Sequence, residues 1–516
     1  MKKIIAVALC IIMMVSMMSF NFAVSAEEYG LMSDVYVSPS GTDRATGLEN
    51  DPCTLARAYV LVKDGGTIHI DGTIVVPADF SFNKNVTIVG DDAATDVLDL
   101  SAMPEGINLG GDISFDYVTF KTSGYNIIAA YGHTLLIGEN CATDGSIGIY
   151  GGGYKITTVG DTNVTVLSGA YAEIYGGGHL GAIIGDTHVT VAGTASVFRA
   201  GNIRYNIYGA GYGSSVEGST YVLVGGNANR SSCSFTENSH DSNVHYVFGG
   251  GYNCDITGST NVRVTDNATA HYIVGGMHGD PETFSGNIDN GSNVIIDSDG
   301  VRVYGIYGAS LRNDQGSDAN VIMTKGTVSQ IIGASSGANH TGNVNVMILG
   351  GKVTRRIFGG SYNDWSFSWA SSYYVDGLIT LTIAEKANVQ IDLNQSDDNA
   401  FTAHSRRSSV AQEEDGVVVF TSEEAKNDYL NAFNTGASIV GTGKPAYDSY
   451  SVKALLAGDA NLDGEVTNAD VLAVMQNIYS PEKYPLFVDS VADVNTDNDV
   501  TSVDLLIIYK MIYNAD

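Results

Sequence analysis

Oxygen-bearing side chains recur at fixed intervals near the C-terminal end of the sequence, in two copies 34 residues apart. Each copy places them at positions 1, 3, 5, 7, 9 and 12 of a twelve-residue stretch, where position 7 contributes its backbone carbonyl. The first copy consists of Asp459, Asn461, Asp463, Glu465, Thr467 and Asp470, and the second of Asp493, Asn495, Asp497, Asp499, Thr501 and Asp504. Calcium prefers six to eight hard oxygen ligands. The spacing therefore predicts one Ca2+ in each loop, two ions in all.

Amphipathic helices are predicted directly after both loops. Their apolar residues are Val471, Leu472, Met475 and Ile478 in the first copy, and Leu505, Leu506, Ile508 and Ile512 in the second. Gly464 allows the sharp turn at position 6 of the first loop, and Asn498 stands at that position in the second, where Asn tolerates a left-handed backbone. The alternative, that the acids are ordinary solvated loop residues, requires twelve positions to match by chance.

One calcium loop followed by one helix, duplicated at the end of the chain, resembles the type I dockerin module of cellulosomal enzymes. The resemblance implies that loop positions 10 and 11 and the following helix contact a cohesin module of a scaffoldin. The corresponding residues are Asn468, Ala469, Met475, Gln476, Ser502, Val503, Tyr509 and Lys510. Because the two halves differ at these positions, the sequence argues against two interchangeable binding modes.

The organisation of the rest of the chain is indicated by its glycines. The full sequence contains 61 of them. Many lie in repeats of the form apolar–aromatic–Gly–Gly. The first glycines of these motifs are Gly151, Gly176, Gly209, Gly249, Gly275, Gly308, Gly333 and Gly359. Short β-branched strands alternate with the motifs, and in five copies a strand valine follows the first glycine by 13 residues, as Val164 follows Gly151. A constant offset within a variable period indicates repeated structural units with loop insertions.

A unit of about 25 residues with two or three strands cannot bury its own apolar face, whereas stacked units can. The sequence therefore predicts a mainly β fold, a right-handed parallel β-helix over 66–400, followed by a small α-helical calcium-binding dockerin at 455–516. Glycine would serve corners where φ is positive or where backbones approach closely. A β-propeller is the competing architecture, but its blades need about 40 residues.

The region before the repeats resembles the N-terminal cap of pectate-lyase-like right-handed β-helices. An opening strand at Val35–Val37, a short helix near Leu55–Ala58 and a first rung from Gly66 carry this resemblance. It implies a cap at 27–65 and no catalytic residue. A composition change places a C-terminal cap and linker at 401–454.

Residues 1–26 are predicted to be a secretory signal peptide, with Lys2 and Lys3 before an apolar run and small residues ending at Ala26. The mature protein is therefore expected to be secreted, to hold to the cell surface through a cellulosome, and not to insert into a membrane. A net charge of −31 argues against nucleic acid as a partner. Cys233 and Cys254 lie about one repeat apart, and either a disulfide or two free thiols remains open.

Two hypotheses remain open for the function of the repeats. A glycoside hydrolase needs two carboxylates about 5 to 9.5 Å apart, and Asp161 and Asp186 occupy equivalent positions in neighbouring units, where rungs lie ~4.8 Å apart. Their alternative role is to cap turns. A polysaccharide lyase would want a basic residue beside calcium, and the repeats show no basic cluster.

The second hypothesis is a non-catalytic carbohydrate-binding or adhesive module. A ring-bearing side chain stands three residues after the first glycine in six motifs, at Tyr154, His179, Tyr212, Tyr252, His278 and Tyr362. Stacked in register, these rings would form a ladder suited to sugar rings, or else a row that packs the solenoid corner. The sequence thus predicts a cellulosome component that acts in plant cell-wall polysaccharide degradation, with catalytic residues unknown.

Overall fold

The computed structural model describes residues 32–103, 106–143, 146–197, 206–229, 245–279 and 286–358, and shorter stretches beyond them. These stretches are 361, 375, 377, 379–383, 388–389, 416–420, 450–452, 457–461, 466–481, 492–495, 497 and 499–513. The predicted signal peptide, Cys233, Tyr362, Asp463 and Glu465 lie outside the described residues.

The described part of the chain contains strands almost throughout, with one helix near its start and two at its end. In chain order, the elements up to the first glycine motifs are β1 (Met32–Thr42), α1 (Leu55–Leu61), β2 (Val62–Ile70), β3 (Thr73–Val75), β4 (Val86–Val89), β5 (Val97–Asp99), β6 (Ile107–Asn108), β7 (Ile113–Asp116), β8 (Thr119–Lys121), β9 (Asn126–Ala129), β10 (Thr134–Ile137), β11 (Ala142–Thr143) and β12 (Ile147–Tyr150).

The glycine-rich repeats form the next group of strands. These are β13 (Thr158–Val159), β14 (Thr162–Val166), β15 (Ala170–Tyr171), β16 (Glu173–Tyr175), β17 (Ile183–Ile184), β18 (Thr187–Val191), β19 (Ser196–Val197), β20 (Asn206–Tyr208), β21 (Thr220–Val224), β22 (Tyr246–Phe248), β23 (Thr260–Val264), β24 (Thr269–Val274), β25 (Ser292–Ile296), β26 (Arg302–Tyr307), β27 (Ala319–Met323), β28 (Thr327–Ile332), β29 (Val344–Ile348) and β30 (Lys352–Phe358). The last elements are β31 (Ile379–Ile383), β32 (Asn388–Val389), β33 (Gly416–Phe420), β34 (Tyr450–Val452), α2 (Asn468–Tyr479) and α3 (Ser502–Tyr513).

Every pairing between neighbouring strands is parallel, and successive turns of the chain stack on one another. The long sheet has fifteen strands in the order β1-β2-β4-β7-β10-β14-β18-β21-β23-β25-β27-β29-β31-β33-β34. The second sheet has eleven, in the order β6-β9-β12-β16-β20-β22-β24-β26-β28-β30-β32, and a third joins β3, β5, β8 and β11. This arrangement confirms the predicted parallel β-helix and shows that the propeller alternative is wrong. The long sheet continues past residue 400 through β33 and β34, inside the predicted C-terminal cap.

One continuous apolar core fills the interior of the solenoid from Val35 to Val375. It is built from alternate residues of the strands, such as Val164 and Val166 of β14, which are almost completely buried. Their neighbour Thr165 points outward and is half-buried. Because side chains of a strand alternate between its two faces, each rung contributes a few aliphatic groups that pack on the rungs above and below.

The N-terminal end is closed by β1 and α1, as the resemblance to a β-helix cap implied. Thr54 caps α1, and its side chain accepts a hydrogen bond from the Arg57 N–H at 3.1 Å. The helix buries Leu55 and Tyr59, and the Tyr59 ring packs edge-on against Phe80 at 4.8 Å. A covered end protects unpaired strand edges from association with other chains.

The first glycine of the motif sits where two rungs approach too closely for a side chain in six copies, from Gly151 to Gly308. A Cβ added to Gly176 would overlap the carbonyl oxygen of Gly209, and one added to Gly209 would overlap that of Gly249. The buried Thr187 hydroxyl donates to the same Gly209 carbonyl at 2.6 Å. Close approach, rather than positive φ, therefore explains these glycines. The Cβ of Thr187 also lies 3.1 Å from the position of a Cβ added to Gly176, and this packing within one rung explains why glycine and strand keep a constant offset.

Candidate calcium loops and solenoid surfaces

The second acidic loop brings three carboxylates together. One oxygen from each of Asp493, Asp497 and Asp504 lies within 4.8 Å of the others. The Asp504 carboxylate accepts hydrogen bonds from the backbone N–H groups of Asn495 at 3.2 Å and Thr501 at 2.9 Å. Burial acts to raise the pKa of Asp504, but these hydrogen bonds outweigh it and lower the pKa. These hydrogen bonds favour the ionised form of Asp504, and the three carboxylates together offer hard oxygen donors, which fits calcium.

The first loop repeats this geometry where it is described. Asp470 accepts from the Asn461 N–H at 3.0 Å and from the Thr467 N–H at 2.7 Å, as Asp504 does in the second loop. Asp459 and Asp470 are both buried, with exposed fractions of 3% and 0%. A buried carboxylate is costly unless it is hydrogen-bonded or bound to a cation, so this loop also has the character of a cation site.

The same acids begin the helices. Thr467 caps α2 by accepting from the Ala469 N–H, and Asp470 completes a capping box. The two helices share a core of four fully buried residues, Ala460, Val474, Ala492 and Ile508. A core this small contributes little hydrophobic stabilisation, so the loops must be held in another way.

All eight predicted cohesin-contacting residues lie in α2 or α3. Met475 and Tyr509 occupy equivalent positions and are 40% and 46% exposed. Sequence reasoning missed two further exposed pairs, Leu472 with Leu506 and Tyr479 with Tyr513. The signal was available, because these pairs have the same residue type in both copies at the 34-residue spacing.

The two halves are not equivalent in their surroundings. Asn468, at the start of α2, exchanges hydrogen bonds with the Tyr513 hydroxyl at the end of α3, at 2.9 and 3.1 Å. The equivalent tyrosine, Tyr479, is 82% exposed. One helix therefore starts beneath a tyrosine side chain, while the corresponding tyrosine of the other half extends into solvent.

The predicted aromatic row on the solenoid is in register over its described members. Tyr154, His179, Tyr212 and Tyr252 form a parallel stack with successive ring centroids 5.0 Å apart, and His278 meets Tyr252 edge-on. Tyr154 is exposed, and the other four are half-buried. Because the rings cover each other's faces, a sugar ring could not stack on the interior members. The geometry favours the corner-packing alternative, and carbohydrate binding by this row stays a prediction.

A second, buried stack lies beneath that row and was not foreseen. Tyr150, Tyr175, Tyr208 and Phe248 stack at 4.5 to 4.8 Å with interplanar angles of 2° to 7°. The outer row packs edge-on against it, as Tyr212 does against Tyr175 at 6.4 Å. The outer row therefore shields the aromatic residues that stand directly before the first glycine in these four motifs.

Glu173 is a buried carboxylate surrounded by phenols. It accepts hydrogen bonds from the hydroxyls of Tyr125, Tyr150 and Tyr175 at 2.6, 2.8 and 3.1 Å. Burial, followed by the charge of Glu173, raises the pKa of Tyr150 far above its usual range. The flanking rungs carry Gly148 and Asn206 at equivalent positions, so the stacking of rungs does not place at these positions the second carboxylate that glycoside hydrolysis requires.

Asp161 and Asp186 occupy equivalent corners of adjacent rungs. Asp161 accepts a hydrogen bond from the Asp186 N–H at 2.8 Å, and Asp186 accepts one from the Ser219 N–H at the same distance. Each carboxylate thus ties its turn to the next turn. This geometry favours the turn-capping alternative, and a catalytic role for the pair stays a prediction.

Three cysteines of the described chain, Cys53, Cys141 and Cys254, are buried and form no disulfide with one another. Burial raises the pKa of the Cys254 thiol to about 12. Whether Cys254 pairs with Cys233 stays open, since Cys233 lies outside the described residues. Among the helices that the structure describes, none has both the length and the apolar character needed to cross a membrane.

These features define a parallel β-solenoid protein that carries a duplicated, carboxylate-rich loop–helix module near its C-terminal end. Residues 457–513 match the family model of the dockerin type I domain. The match confirms the resemblance drawn from the two loops, and it concerns this module alone.

Comparison with solved structures gives similarity to a rhamnogalacturonan lyase. The sequence identity is 11%, the similarity covers 74% of this chain and 91% of that chain, and the TM-score is 0.23. A similarity this low carries no argument about activity, and the β-helix assignment rests on the strand pairing described above. No curated protein matches the chain.

Proposed function

We propose that the module at 457–513 docks this protein, through calcium, onto a cohesin of a scaffoldin. The observation that carries this proposal is the convergence of Asp493, Asp497 and Asp504 within 4.8 Å, in a module whose other half repeats the Asp470 geometry. Each loop would hold one Ca2+ through its own six predicted ligands. The ion supplies the positive charge that lets clustered carboxylates remain close, and its binding is thereby coupled to folding.

The docking face is proposed to comprise the exposed sides of α2 and α3. The eight predicted contact residues would be joined by Leu472 and Leu506, each about half exposed. Because Asn468 is engaged by Tyr513 while Tyr479 extends into solvent, the two halves present different surfaces. We expect one orientation on the cohesin to be favoured over the other.

The solenoid is proposed to act in plant polysaccharide degradation outside the cell, after removal of 1–26. Two forms of this role differ in chemistry: a glycoside hydrolase or polysaccharide lyase, and a non-catalytic glycan-binding module. The hydrogen bonds of Asp161 and Asp186 to neighbouring turns, together with Gly148 and Asn206 at the positions equivalent to Glu173, favour the glycan-binding form.

The test of docking uses the full chain and immobilised type I cohesin modules. Binding is expected with calcium and is expected to be lost in chelator. Asp493→Ala should weaken binding at least tenfold, because it removes a ligand at loop position 1. Asp499→Ala is the matched control, since position 7 contributes a carbonyl that the substitution retains. Equal binding with and without chelator, or equal losses in both variants, would refute the proposal.

A further inference from the structure

A groove of about 280 Å³ lies on the outer face of the long sheet, and it shares no residue with the aromatic row or the calcium loops. It crosses five successive strands, β14, β18, β21, β23 and β25. Its floor consists of two rows of outward side chains: Asn163, His188, Tyr221 and Asn261 in one, and Thr165, Thr190, Leu223, Arg263 and Ile295 in the other. Since these strands pair without a register shift, both rows run along the solenoid axis.

The chemistry of the first row changes at Asn261. Beyond it, the side-chain amides form a bonded ladder, in which Asn293 donates to Asn261 at 3.0 Å, Asn320 to Asn293 at 3.0 Å and Asn345 to Asn320 at 2.9 Å. The Asn261 amide closes the ladder on the Thr220 carbonyl at 3.1 Å. The ladder thus stabilises the later rungs, and the groove begins where it ends.

On the earlier rungs, ring edges replace the amide ladder. The His188 and Tyr221 rings stack at 4.9 Å with an interplanar angle of 5°. Because their faces meet each other along the axis, each presents its edge, with an imidazole nitrogen or a phenol hydroxyl, to the groove. The Asn163 amide and the Thr190 hydroxyl lie beside them. All of these groups can both donate and accept hydrogen bonds.

The one formally charged side chain of the groove lining is paired with an acidic side chain outside the lining. Arg263 is the one cationic residue in this lining, and its Nε donates to Asp297 at 2.6 Å. A polyanion would therefore find no unpaired cation in the groove, on a chain whose net charge is −31. Like-charge repulsion adds to that disadvantage.

We propose that this groove binds an uncharged linear glycan that lies along the solenoid axis. Hydroxyl groups of such a chain match the mixed donors and acceptors of the first row, and its C–H faces match the aliphatic Leu223 and Ile295 of the second. Five rungs span about 19 Å at the usual strand spacing, a length that suits several consecutive sugar units. The inference rests on the proposed glycan-binding role of the solenoid, and it names the surface and the charge class of the ligand.

The test measures retardation of the full-length protein in native gels that contain soluble xyloglucan, glucomannan or polygalacturonate. The wild-type protein should be retarded by at least one of the two neutral glycans and not by the acidic one. Combined His188→Ala and Tyr221→Ala substitutions should lower affinity at least tenfold. Asn345→Ala is the matched control, because it lies in the same row but outside the groove. Tyr221→Phe, which removes only the hydroxyl, keeps the test decisive if the double variant fails to fold.

Each outcome separates the groove from the broader role. A neutral glycan could retard the wild-type protein, the His188→Ala, Tyr221→Ala double variant and Tyr221→Phe equally. That result would overturn the assignment of binding to the groove and would leave the glycan-binding role intact. Retardation by polygalacturonate alone would overturn the charge argument. No retardation in any of the three glycans would overturn both the groove and the glycan-binding role, while cohesin binding of the same preparation would still report on docking.

Discussion

The solenoid and the C-terminal module both arise from repeated units, yet they are stabilised in different ways. A rung of the solenoid is completed by its neighbours, which cover its apolar residues and bond its strand edges. The module has two units, its described residues include four fully buried core residues, and it concentrates carboxylates in its loops. Repetition therefore suffices for folding where apolar faces stack many times, whereas a module of two units needs a further source of stability, a role that we propose for calcium.

Removal of calcium should produce the largest difference between the two regions. We expect chelator to abolish the unfolding transition of the module and to leave that of the solenoid in place. Calcium at 100 times its Kd stabilises a folded site by about 2.7 kcal/mol. Calorimetry of the full chain with and without chelator measures both transitions. A shift of the solenoid transition by the same amount would show that the two regions unfold as one cooperative unit.

Gly209→Ala should be the most damaging single change in the solenoid. The added methyl group would overlap the carbonyl of Gly249 in the next rung, and overpacking of this kind costs about 3 kcal/mol. Gly124→Ala is the control, because nothing lies within 4 Å of its Cβ position, and we expect a change of about 0.5 kcal/mol or less. Denaturant melts compare them, and equal stabilities would contradict the role given to close approach. Calcium should not rescue Gly209→Ala.

Tyr212→Ala should lower the stability of the solenoid by about 2 kcal/mol, part of the cost of deleting a large core ring. Its ring is half-buried between His179 and Tyr252. Tyr154→Ala, at the exposed end of the row, should cost about 0.5 kcal/mol. Denaturant melts and a pull-down on insoluble glycan are measured together. Loss of glycan binding by Tyr212→Ala with unchanged stability would show that the row is a binding surface after all.

Lowering the pH should have a smaller effect on the stability of the solenoid. Asp99 accepts a hydrogen bond from Lys121 at 2.7 Å, and this bond, with those from Ser101, lowers the pKa of Asp99 to about 2. An unfolded aspartate has a pKa of about 3.9. The stabilisation is therefore complete above about pH 4 and is lost as the pH falls towards 2.

Because Lys121 is 58% exposed, the contribution of this ion pair should be about 0.5 kcal/mol. Asp99→Asn should remove that part of the acid dependence in melts between pH 4 and pH 2. The slope of unfolding free energy against pH should be the same with and without calcium, since the Lys121 ammonium group balances the charge of Asp99. A calcium-dependent slope would contradict the distinction between the two regions.

Much of the architecture follows from local rules that are visible in the sequence. The constant distance from Gly151 to Val164 predicted stacked rungs, and Thr162 shows why it is constant, since its Cβ lies 3.0 Å from the position of a Cβ added to Gly151 in the same rung. The resemblance of the C-terminal module to dockerin type I was equally predictable, because the regular spacing of oxygen-bearing side chains in its two loops is visible in the sequence.

Other features depend on contacts between rungs that no single repeat specifies. The sequence placed Tyr154 and His179 in one row, but it could not show that their faces cover each other or that Tyr150 and Tyr175 stack beneath them. The partner of Asp161 lies 25 residues away. Glu173 likewise collects phenols from three different rungs. Such arrangements depend on rotamers and on the path of the corners, which periodicity does not determine.

The long sheet keeps an unbroken register through the glycine-rich repeats, from β14 to β31, and this makes the solenoid modular in length. Thr187 of β18 pairs with Thr162 on one side and with Thr220 on the other, although the intervals along the chain are 25 and 33 residues. The extra residues are therefore accommodated between strands without displacing any pair. Duplication or deletion of one whole repeat in the gene would preserve every remaining strand pairing. The outer face of the sheet can therefore lengthen or shorten in steps of one rung, about 4.8 Å. The side chains at the remaining positions would stay the same.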